Sequence, residues 1–242
     1  AQQVWPDRSV EVLCSTVIVC ILSTIILIWR VAYGIKNKRK MLLCDGLLVI
    51  AGILNLTTTA IRFKTVQHGL GKHFNDPRVL LVPGNIRAYS YYLYINQIIN
   101  MLAVSILKYS ICAYLLALKF STIYTIIVWL SIAMVTVFNL LLPLFSNVSC
   151  TPFEANWNRA VTGKCWYHSS QPVNYMQGVS NCITDVVYVV APIIYLNNVQ
   201  LSRRTQWGVR MVFLLGLVAT VCSIFKTYEL RNLVRTKDPT WD

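Results

Sequence analysis

The sequence predicts an all-α membrane protein, a polytopic helix bundle with six spans in this chain and a seventh expected after its end. Hydrophobic residues make up 56% of the 242 residues and charged residues only 13%, whereas a soluble domain carries about a quarter charged residues. The mean hydropathy is +0.55. Six apolar stretches each reach the roughly 20 residues that a helix needs to cross a bilayer. We therefore treat the chain as one transmembrane helical domain.

The predicted spans are joined by short basic turns or by longer polar loops. They cover residues 10–33, 41–62, 88–118, 122–145, 173–198 and 209–230. Apolar residues continue nearly all the way round each helix, while helices of a soluble bundle keep a polar face. Residues 119–121 alone separate the third and fourth spans, and residues 147–172 form the loop before the fifth.

Charge in the connections predicts the orientation. The 22 Lys and Arg against 9 Asp and Glu give a formal net charge of +13, and the short connections on one side carry Lys and Arg but no acidic residue. Because cytoplasmic loops accumulate Lys and Arg, this side is expected in the cytoplasm and the N-terminus outside. The same rule explains the net charge without a nucleic-acid partner. Membrane lipids are the expected surroundings, in the plasma membrane or the endoplasmic reticulum.

Two of the eight cysteines are set apart from the rest. Cys150 and Cys165 flank a loop on the predicted outer face, whereas the other six lie in apolar helices. An oxidising compartment would let this pair form a disulfide, which is worth about 3 kcal/mol for a loop of about 15 residues. No Cys or His spacing typical of a metal site occurs, and no cofactor is expected. Asn147 begins an Asn-Val-Ser sequon and is a candidate glycosylation site.

The informative residues are polar groups inside the spans. On the fifth helix, residues at spacings of three and four share one face, and Asp185 lies near the membrane midplane. An ionisable group at that depth marks a functional site by default. Similar stripes follow the second, third and sixth helices. The candidate ligand-binding residues are Asn55, Arg62, Tyr92, Asn96, Asn100, Gln177, Asn181, Asp185, Lys226 and Glu229.

These stripes predict a polar cavity that opens outward, with Asp185 as its floor. The alternative is that they hold the helices together, because polar side chains hydrogen-bond between spans. Lys226 is a candidate counter-ion of Asp185, although Glu229 competes for it. We expect Asp45 and Lys108 to form a structural ion pair near the cytoplasmic boundary.

The segment Gly69-Leu70-Gly71-Lys72-His73 follows the second span. Its glycines permit backbone angles that other residues avoid, so it is expected to turn tightly at the cavity mouth. His73 is a candidate proton carrier because histidine titrates near neutrality.

An ordered series of motifs resembles the fungal rhodopsin-domain family of receptor-like seven-helix membrane proteins. The series is GLGKH at 69–73, Lys108 and Ser110, Cys150-x-Pro152-x4-Trp157-x5-Gly163-x-Cys165, Asp185 and Pro192, Gly216, and Asp238-x-Thr240-Trp241. The resemblance covers nearly the whole chain and implies a seventh helix just after the last motif. Many members of the family look like G-protein-coupled receptors, and others are similar to proteins encoded beside secondary-metabolite pathways. No lysine in the spans offers an obvious retinal Schiff base.

Two functions follow from these observations. The first is a receptor-like protein that binds a small, partly apolar ligand and signals through its basic turns. A G protein is the partner that this role implies, although a turn of three residues offers little surface for one. The second is an intramembrane isomerase or cyclase for a lipophilic metabolite, with Asp185, His73 and Glu229 as acid–base residues. A transporter would favour broken helices or internal repeats, which the sequence lacks.

Overall fold

Five long helices make up most of the protein. The computed structural model describes residues 7–36, 43–72, 84–117, 122–158, 160–166 and 171–196, and isolated positions at 218, 221–222, 224–225 and 228. The helices are α1 (Ser9–Lys36), α2 (Leu43–Gln67), α3 (Asn85–Ala117), α4 (Thr122–Asn147) and α5 (Gln171–Leu196). The first five predicted helices are therefore confirmed. The largest difference is at the end of α2, predicted at residue 62 and found at Gln67. The predicted sixth helix lies outside the described residues, apart from those isolated positions.

Four of these helices, α1 to α4, are long and apolar enough to cross a membrane. Large apolar side chains such as Ile25, Trp29 and Leu130 are exposed on their outer surfaces, which suits a lipid environment. Helix α5 is 26 residues long but carries the polar stripe and is not one of these four. The described part of the chain thus shows an integral membrane protein with several spans. The six-span count and the seventh helix stay predictions.

Helix α3 lies at the centre of the bundle. It packs against α2 on one side and α4 on the other, while α1 packs on α2, and α5 packs on α4. A buried apolar cluster joins Cys112 and Leu115 of α3 to Val128 of α4, and Tyr188 of α5 packs against it. Side chains on different faces of α3 therefore reach different neighbours, and this separates the polar residues into two groups.

A π-helical segment, Val135–Leu141, interrupts α4. Its cause is Pro143, because a proline has no amide hydrogen to donate to the carbonyl four residues back. The amide of Leu142 donates to the carbonyl of Val137, five residues back. The carbonyl of Asn139, which residue 143 would otherwise satisfy, accepts a hydrogen bond from Ser105 Oγ of α3 at 3.4 Å. The widened turn therefore connects the backbone of α4 to α3.

One end of the bundle, here called the disulfide face, gathers the start of α1, the end of α2, the start of α3 and the end of α4. Three hydrogen bonds join these ends: Arg8 N to Gly71 O at 3.0 Å, His68 Nδ1 with Asn85 Oδ1 at 2.7 Å, and Tyr94 OH to Asn147 O at 2.9 Å. Consecutive helices α1 to α4 therefore run antiparallel.

A disulfide between Cys150 and Cys165 closes the loop at this face, as predicted. The two cysteines are paired in a short antiparallel ladder, β1 (Cys150–Thr151) with β2 (Lys164–Cys165). Gly163 fits this loop because a Cβ atom there would lie 2.5 Å from the Cβ of Ala155. The Gly in the Cys–Pro–Trp–Gly–Cys motif is therefore explained by close packing.

Aromatic side chains fasten the loop to α3. The Trp157 ring lies 5.6 Å from Tyr91 and 5.4 Å from Tyr94, measured between ring centroids. Arg87 at the start of α3 forms an ion pair with Glu154 of the loop at 2.5 Å. These contacts hold the disulfide-closed loop on the end of the bundle and leave it outside the spans.

The glycine-rich turn after α2 folds tightly, as expected, but it packs on the start of α1. Gly69 and Gly71 have φ angles of 125° and 86°, a region that side-chain-bearing residues avoid. A Cβ atom on Gly71 would also lie 2.8 Å from the backbone nitrogen of Ser9. His73 lies outside the described residues, so its proposed role as proton carrier stays a prediction.

The substitution Gly71→Ala tests this turn. We expect it to lower the free energy of unfolding by about 1–3 kcal/mol, because alanine disfavours positive φ and the added carbon collides with backbone. Thermal unfolding in detergent, followed with a thiol-reactive fluorophore, measures the change. Gly46→Ala in α2 is the matched control, since a Cβ atom there meets nothing within 4 Å. Equal melting temperatures for the two variants would contradict the assignment.

Candidate functional site

Two regions gather many of the described polar groups inside the spans. The first, called here the α1–α3 cleft, opens among α1, α2 and α3. The second, called the α3–α5 network, joins α3, α4 and α5. Sequence periodicity predicts one cavity that combines both sets, but the packing of α3 at the centre keeps them apart.

The α1–α3 cleft has a volume of about 280 Å³. Its described lining residues are Ser15, Thr16, Val19, Cys20, Asn55, Thr58, Thr59, Arg62 and Asn100. The spacing explains the convergence, because Asn55, Thr58, Thr59 and Arg62 recur every three or four residues and share one face of α2. Hydroxyl and amide groups dominate the lining, and no carboxylate is among the described residues that form it.

Arg62 is the charged residue of this lining. Its guanidinium Nη1 donates a hydrogen bond to Thr16 Oγ1 of α1 at 3.3 Å. Further from the disulfide face, Asn55 Nδ2 donates to Ser23 Oγ of α1 at 3.3 Å. These two contacts tie α1 to α2 along the wall of the cleft. The cation and its hydroxyl neighbours make this wall rich in hydrogen-bond donors.

The α3–α5 network is built around a buried ion pair. Lys108 Nζ lies 3.1 Å from Asp185 Oδ1, and Lys108 is 5% exposed. The ammonium group also donates to Thr184 Oγ1 and, at 3.3 Å, to the carbonyl oxygen of Asn181. A buried charge needs both a counter-ion and hydrogen-bond partners to offset its desolvation. Lys108 has both, and its described partners all belong to α5.

Small polar side chains extend this network to α4. Thr184 Oγ1 donates to the carbonyl oxygen of Ser180 at 2.8 Å, and Asn139 Nδ2 donates to Ser180 Oγ at 3.4 Å. Thr184 and Asn139 are both fully buried. Asn139 sits in the π-helical segment, so the turn that Pro143 causes also brings this amide against α5. The network thus links three helices through groups that the lipid could not satisfy.

The expected ion pair between Asp45 and Lys108 is wrong. Asp45 Oδ1 lies 3.8 Å from Arg30 Nε of α1 instead. On α3, Ser110 faces the start of α2 and donates to the carbonyl oxygen of Cys44 at 2.7 Å. Lys108 precedes Ser110 by two residues, which turns its side chain about 200° around the helix axis and toward α5. The partner of Lys108 is therefore decided by the direction in which its side chain leaves α3. Its depth along the span does not indicate that direction.

The predicted ligand-binding residues divide between the two regions. Asn55, Arg62 and Asn100 line the cleft, whereas Asn181 and Asp185 belong to the network. Asp185 is not among the described residues that line the cleft, so it is not the floor of that space.

The other predicted site residues lie elsewhere. The Tyr92 ring stacks on His68 at the disulfide face, with centroids 5.3 Å apart. Gln177 is half-buried on α5. The buried carboxamide oxygen of Asn96 has no hydrogen-bond partner among the described residues. Lys226 and Glu229 fall outside the described residues, so their roles stay predictions. Among the described residues, Lys108 is the cation that lies beside Asp185.

Several site residues were not predicted from the sequence. Ser15, Thr16 and Cys20 on α1 line the cleft. The available signal was that Cys20 follows Thr16 by four residues, which places both on one face of the helix. Thr184 follows Asn181 and Ser180 by three and four residues, which was the available signal, whereas Asn139 lies between Phe138 and Leu140 in an apolar run and gave none. Asn147 ends α4 and accepts a hydrogen bond from Tyr94 through its carbonyl oxygen. Glycosylation at Asn147 stays a prediction.

Apolar helices, a disulfide-closed loop and polar groups buried among the spans define a multi-pass helical membrane protein. The chain belongs to the fungal rhodopsin domain family, whose model matches residues 27–242. It is similar to a SAT4 family membrane protein of Emericella nidulans, with 27% identity over 187 residues, 75% of this chain and 47% of the relative. The chain therefore spans about half the length of that relative. No solved structure matches the chain.

Replacing one partner of the buried pair tests the network. We expect Asp185→Asn or Lys108→Met alone to lower the free energy of unfolding by about 3–5 kcal/mol. Asp185→Asn leaves the Lys108 ammonium without its counter-ion, and Lys108→Met leaves the Asp185 carboxylate without its own. The double variant is expected to lose less than the sum of the two single changes. Thermal unfolding in detergent gives the three values.

Arg87→Gln is the control for this cycle. It breaks the Arg87–Glu154 pair, in which the side chains are 64% and 38% exposed, and exposed pairs contribute about 0–1 kcal/mol. If the two single changes at the buried pair cost no more than Arg87→Gln, the network does not stabilise the bundle.

Proposed function

We propose that the protein is receptor-like and binds a small, partly apolar ligand in the α1–α3 cleft. The observation that carries this proposal is the convergence of polar side chains from three helices around one cleft inside the spans. Polar groups at this depth are costly, and they are retained mainly where they pair or where a ligand passes. Val19 and Cys20 add apolar surface to the lining. A volume of about 280 Å³ lies near the lower end for ligand sites, which favours a small molecule.

The disulfide supports an extracytoplasmic position for the disulfide face. Disulfides persist in oxidising compartments and are rare where thiols are kept reduced. Arg62 lies five residues before the end of α2, hence about 7.5 Å from that end along the axis. The cleft then occupies the outer half of the bilayer, with the N-terminus outside. The membrane is the plasma membrane or the endoplasmic reticulum, since both offer this environment.

Helix α3 provides a route from the cleft to the opposite end of the bundle. It contributes Asn100 to the cleft and Lys108 to the network, eight residues or about 12 Å further along the axis. A ligand that moves α3 would change the fit of Lys108 against α5. The ion pair would then be more stable in one arrangement of α3 and α5 than in another. A receptor requires two such conformations, whose populations a ligand can shift. A G protein is the class of partner that this role implies on the cytoplasmic side.

The described contacts favour a binding role over the enzyme alternative. An acid–base enzyme needs its titrating group within reach of the substrate. Asp185 is engaged by Lys108 and does not line the cleft. The remaining candidates, His73 and Glu229, lie outside the described residues. No described observation supports catalysis by this set.

Blocking the cleft tests the proposed role. The probe is a medium-chain alcohol that carries a photoreactive diazirine, added to the protein in phosphatidylcholine nanodiscs. We expect labelling of α1 and α2 around Val19 and Thr59 that unlabelled alcohol displaces. Ser15→Trp fills the cleft from its exposed edge and is expected to reduce this displaceable labelling at least about five-fold, a loss of about 1 kcal/mol in binding.

Ile18→Trp is the matched control on the same helix. Ile18 is 58% exposed and is not among the described cleft-lining residues. Labelling that cannot be displaced, or that is equally reduced in both tryptophan variants, would refute binding in the cleft.

A further inference from the structure

Arg62 differs from other cations of the bundle in what it faces. Arg30, Arg87 and Lys108 each lie within 4.0 Å of a carboxylate oxygen. No described carboxylate lies at that distance from Arg62, whose polar contact is the hydroxyl of Thr16. Its side chain is half-buried and lines a cleft within a candidate membrane span. A cation in this setting favours an anionic partner, because little water competes for it.

The surrounding groups fit the same kind of partner. Thr16, Thr58 and Thr59 present hydroxyl groups that can donate hydrogen bonds, and Asn55 and Asn100 present amide donors. The described lining holds one cation and no carboxylate, so its charge is positive. A guanidinium group presents paired N–H donors that match two oxygens of one oxyanion. Oxygen anions therefore complement this wall better than neutral head groups do.

We propose that the α1–α3 cleft binds an amphiphile with an oxyanion head group, which Arg62 holds. This inference rests on the proposed function, because it names the chemical class of the ligand for that cleft. The head group is a carboxylate or a phosphate, and the apolar part lies along Val19 and Cys20. A free acid and an anionic bilayer lipid share this chemistry. The competing explanation is that Arg62 only extends its head group to the membrane surface, as long cationic side chains do.

Paired probes that differ only in the head group separate these explanations. Decanoate and decanol, each with a diazirine on the chain, are bound to the full chain in phosphatidylcholine nanodiscs at mildly alkaline pH. We expect Arg62→Gln to weaken displaceable decanoate labelling about 10- to 100-fold, as loss of a charged hydrogen bond would. Decanol labelling is expected to stay within about two-fold of the unsubstituted protein, because decanol carries no charge.

Lys64→Gln is the matched control. Lys64 lies two residues beyond Arg62 on α2, is exposed, and is not a described lining residue. It removes the same formal charge, so it reports any general electrostatic effect on decanoate. We expect both probes to label this variant as they label the unsubstituted protein. Equal losses of decanoate in Lys64→Gln and Arg62→Gln would overturn the assignment to Arg62.

Arg62→Lys covers the case in which Arg62→Gln does not fold. It keeps the charge but loses the paired donors, so decanoate labelling is expected to fall about three- to ten-fold while decanol labelling is retained. If this variant binds both probes as the unsubstituted protein does, Arg62 does not hold the head group by paired donors, and the inference fails.

The outcomes distinguish this inference from the proposed function. If both probes label the cleft but Arg62→Gln binds decanoate normally, the oxyanion inference fails and ligand binding in the cleft stands. If neither probe labels the cleft displaceably, both fail. Nanodiscs that contain phosphatidylglycerol identify the source. If phosphatidylglycerol in the bilayer suppresses decanoate labelling, a bilayer lipid is the occupant of the cleft. If labelling is unchanged, the occupant is a free acid.

Discussion

The structure depends on one constraint, the lack of hydrogen-bond partners in the hydrocarbon that surrounds the helices. Each polar group inside a span must find its partner within the protein, because an unsatisfied group there costs several kcal/mol. The Lys108–Asp185 pair meets this requirement most fully. Its ammonium group contacts a carboxylate, a hydroxyl and a carbonyl oxygen, all from α5. Removing either charged partner would leave a charge that the bilayer cannot solvate.

The same constraint explains the irregular part of α4. Pro143 leaves the carbonyl of Asn139 without its usual donor, and a π-helical turn together with Ser105 of α3 supplies a new one. The amide of Asn139 then donates to Ser180 of α5. A feature that would weaken an isolated helix therefore becomes a junction of three helices. Bulges of this type are frequent at functional sites, and this one adjoins the ion-paired network.

Arg62 meets this constraint less fully than Lys108 does. It lines a cleft inside the spans, and the structure gives it one hydroxyl contact at 3.3 Å. A stable bundle would gain little from a cation in that place, whereas a site for an anionic ligand requires one. This contrast between Lys108 and Arg62 separates a structural role from a binding role. The periodicity of polar residues alone does not separate them.

Much of the fold was predictable from the sequence because it depends on local pattern. Apolar runs gave the five helices that the structure describes, and the isolated outer pair Cys150 and Cys165 gave the disulfide. The spacing of Asn55 and Arg62 gave one wall of the cleft. The partner of Lys108 was not predictable, because it depends on which face of α3 meets α5. Nor was the π-helical turn, since a proline near a helix end is compatible with several local structures.

The role of Arg62 is tested most directly by identifying what the protein carries when it is isolated from its membrane in mild detergent. Mass spectrometry of organic extracts would compare the unsubstituted chain with Arg62→Gln and with Lys64→Gln. We expect an anionic amphiphile that accompanies the unsubstituted chain and the Lys64→Gln variant but is depleted from Arg62→Gln. The same anionic amphiphiles in equal amounts with all three proteins would contradict this role of Arg62.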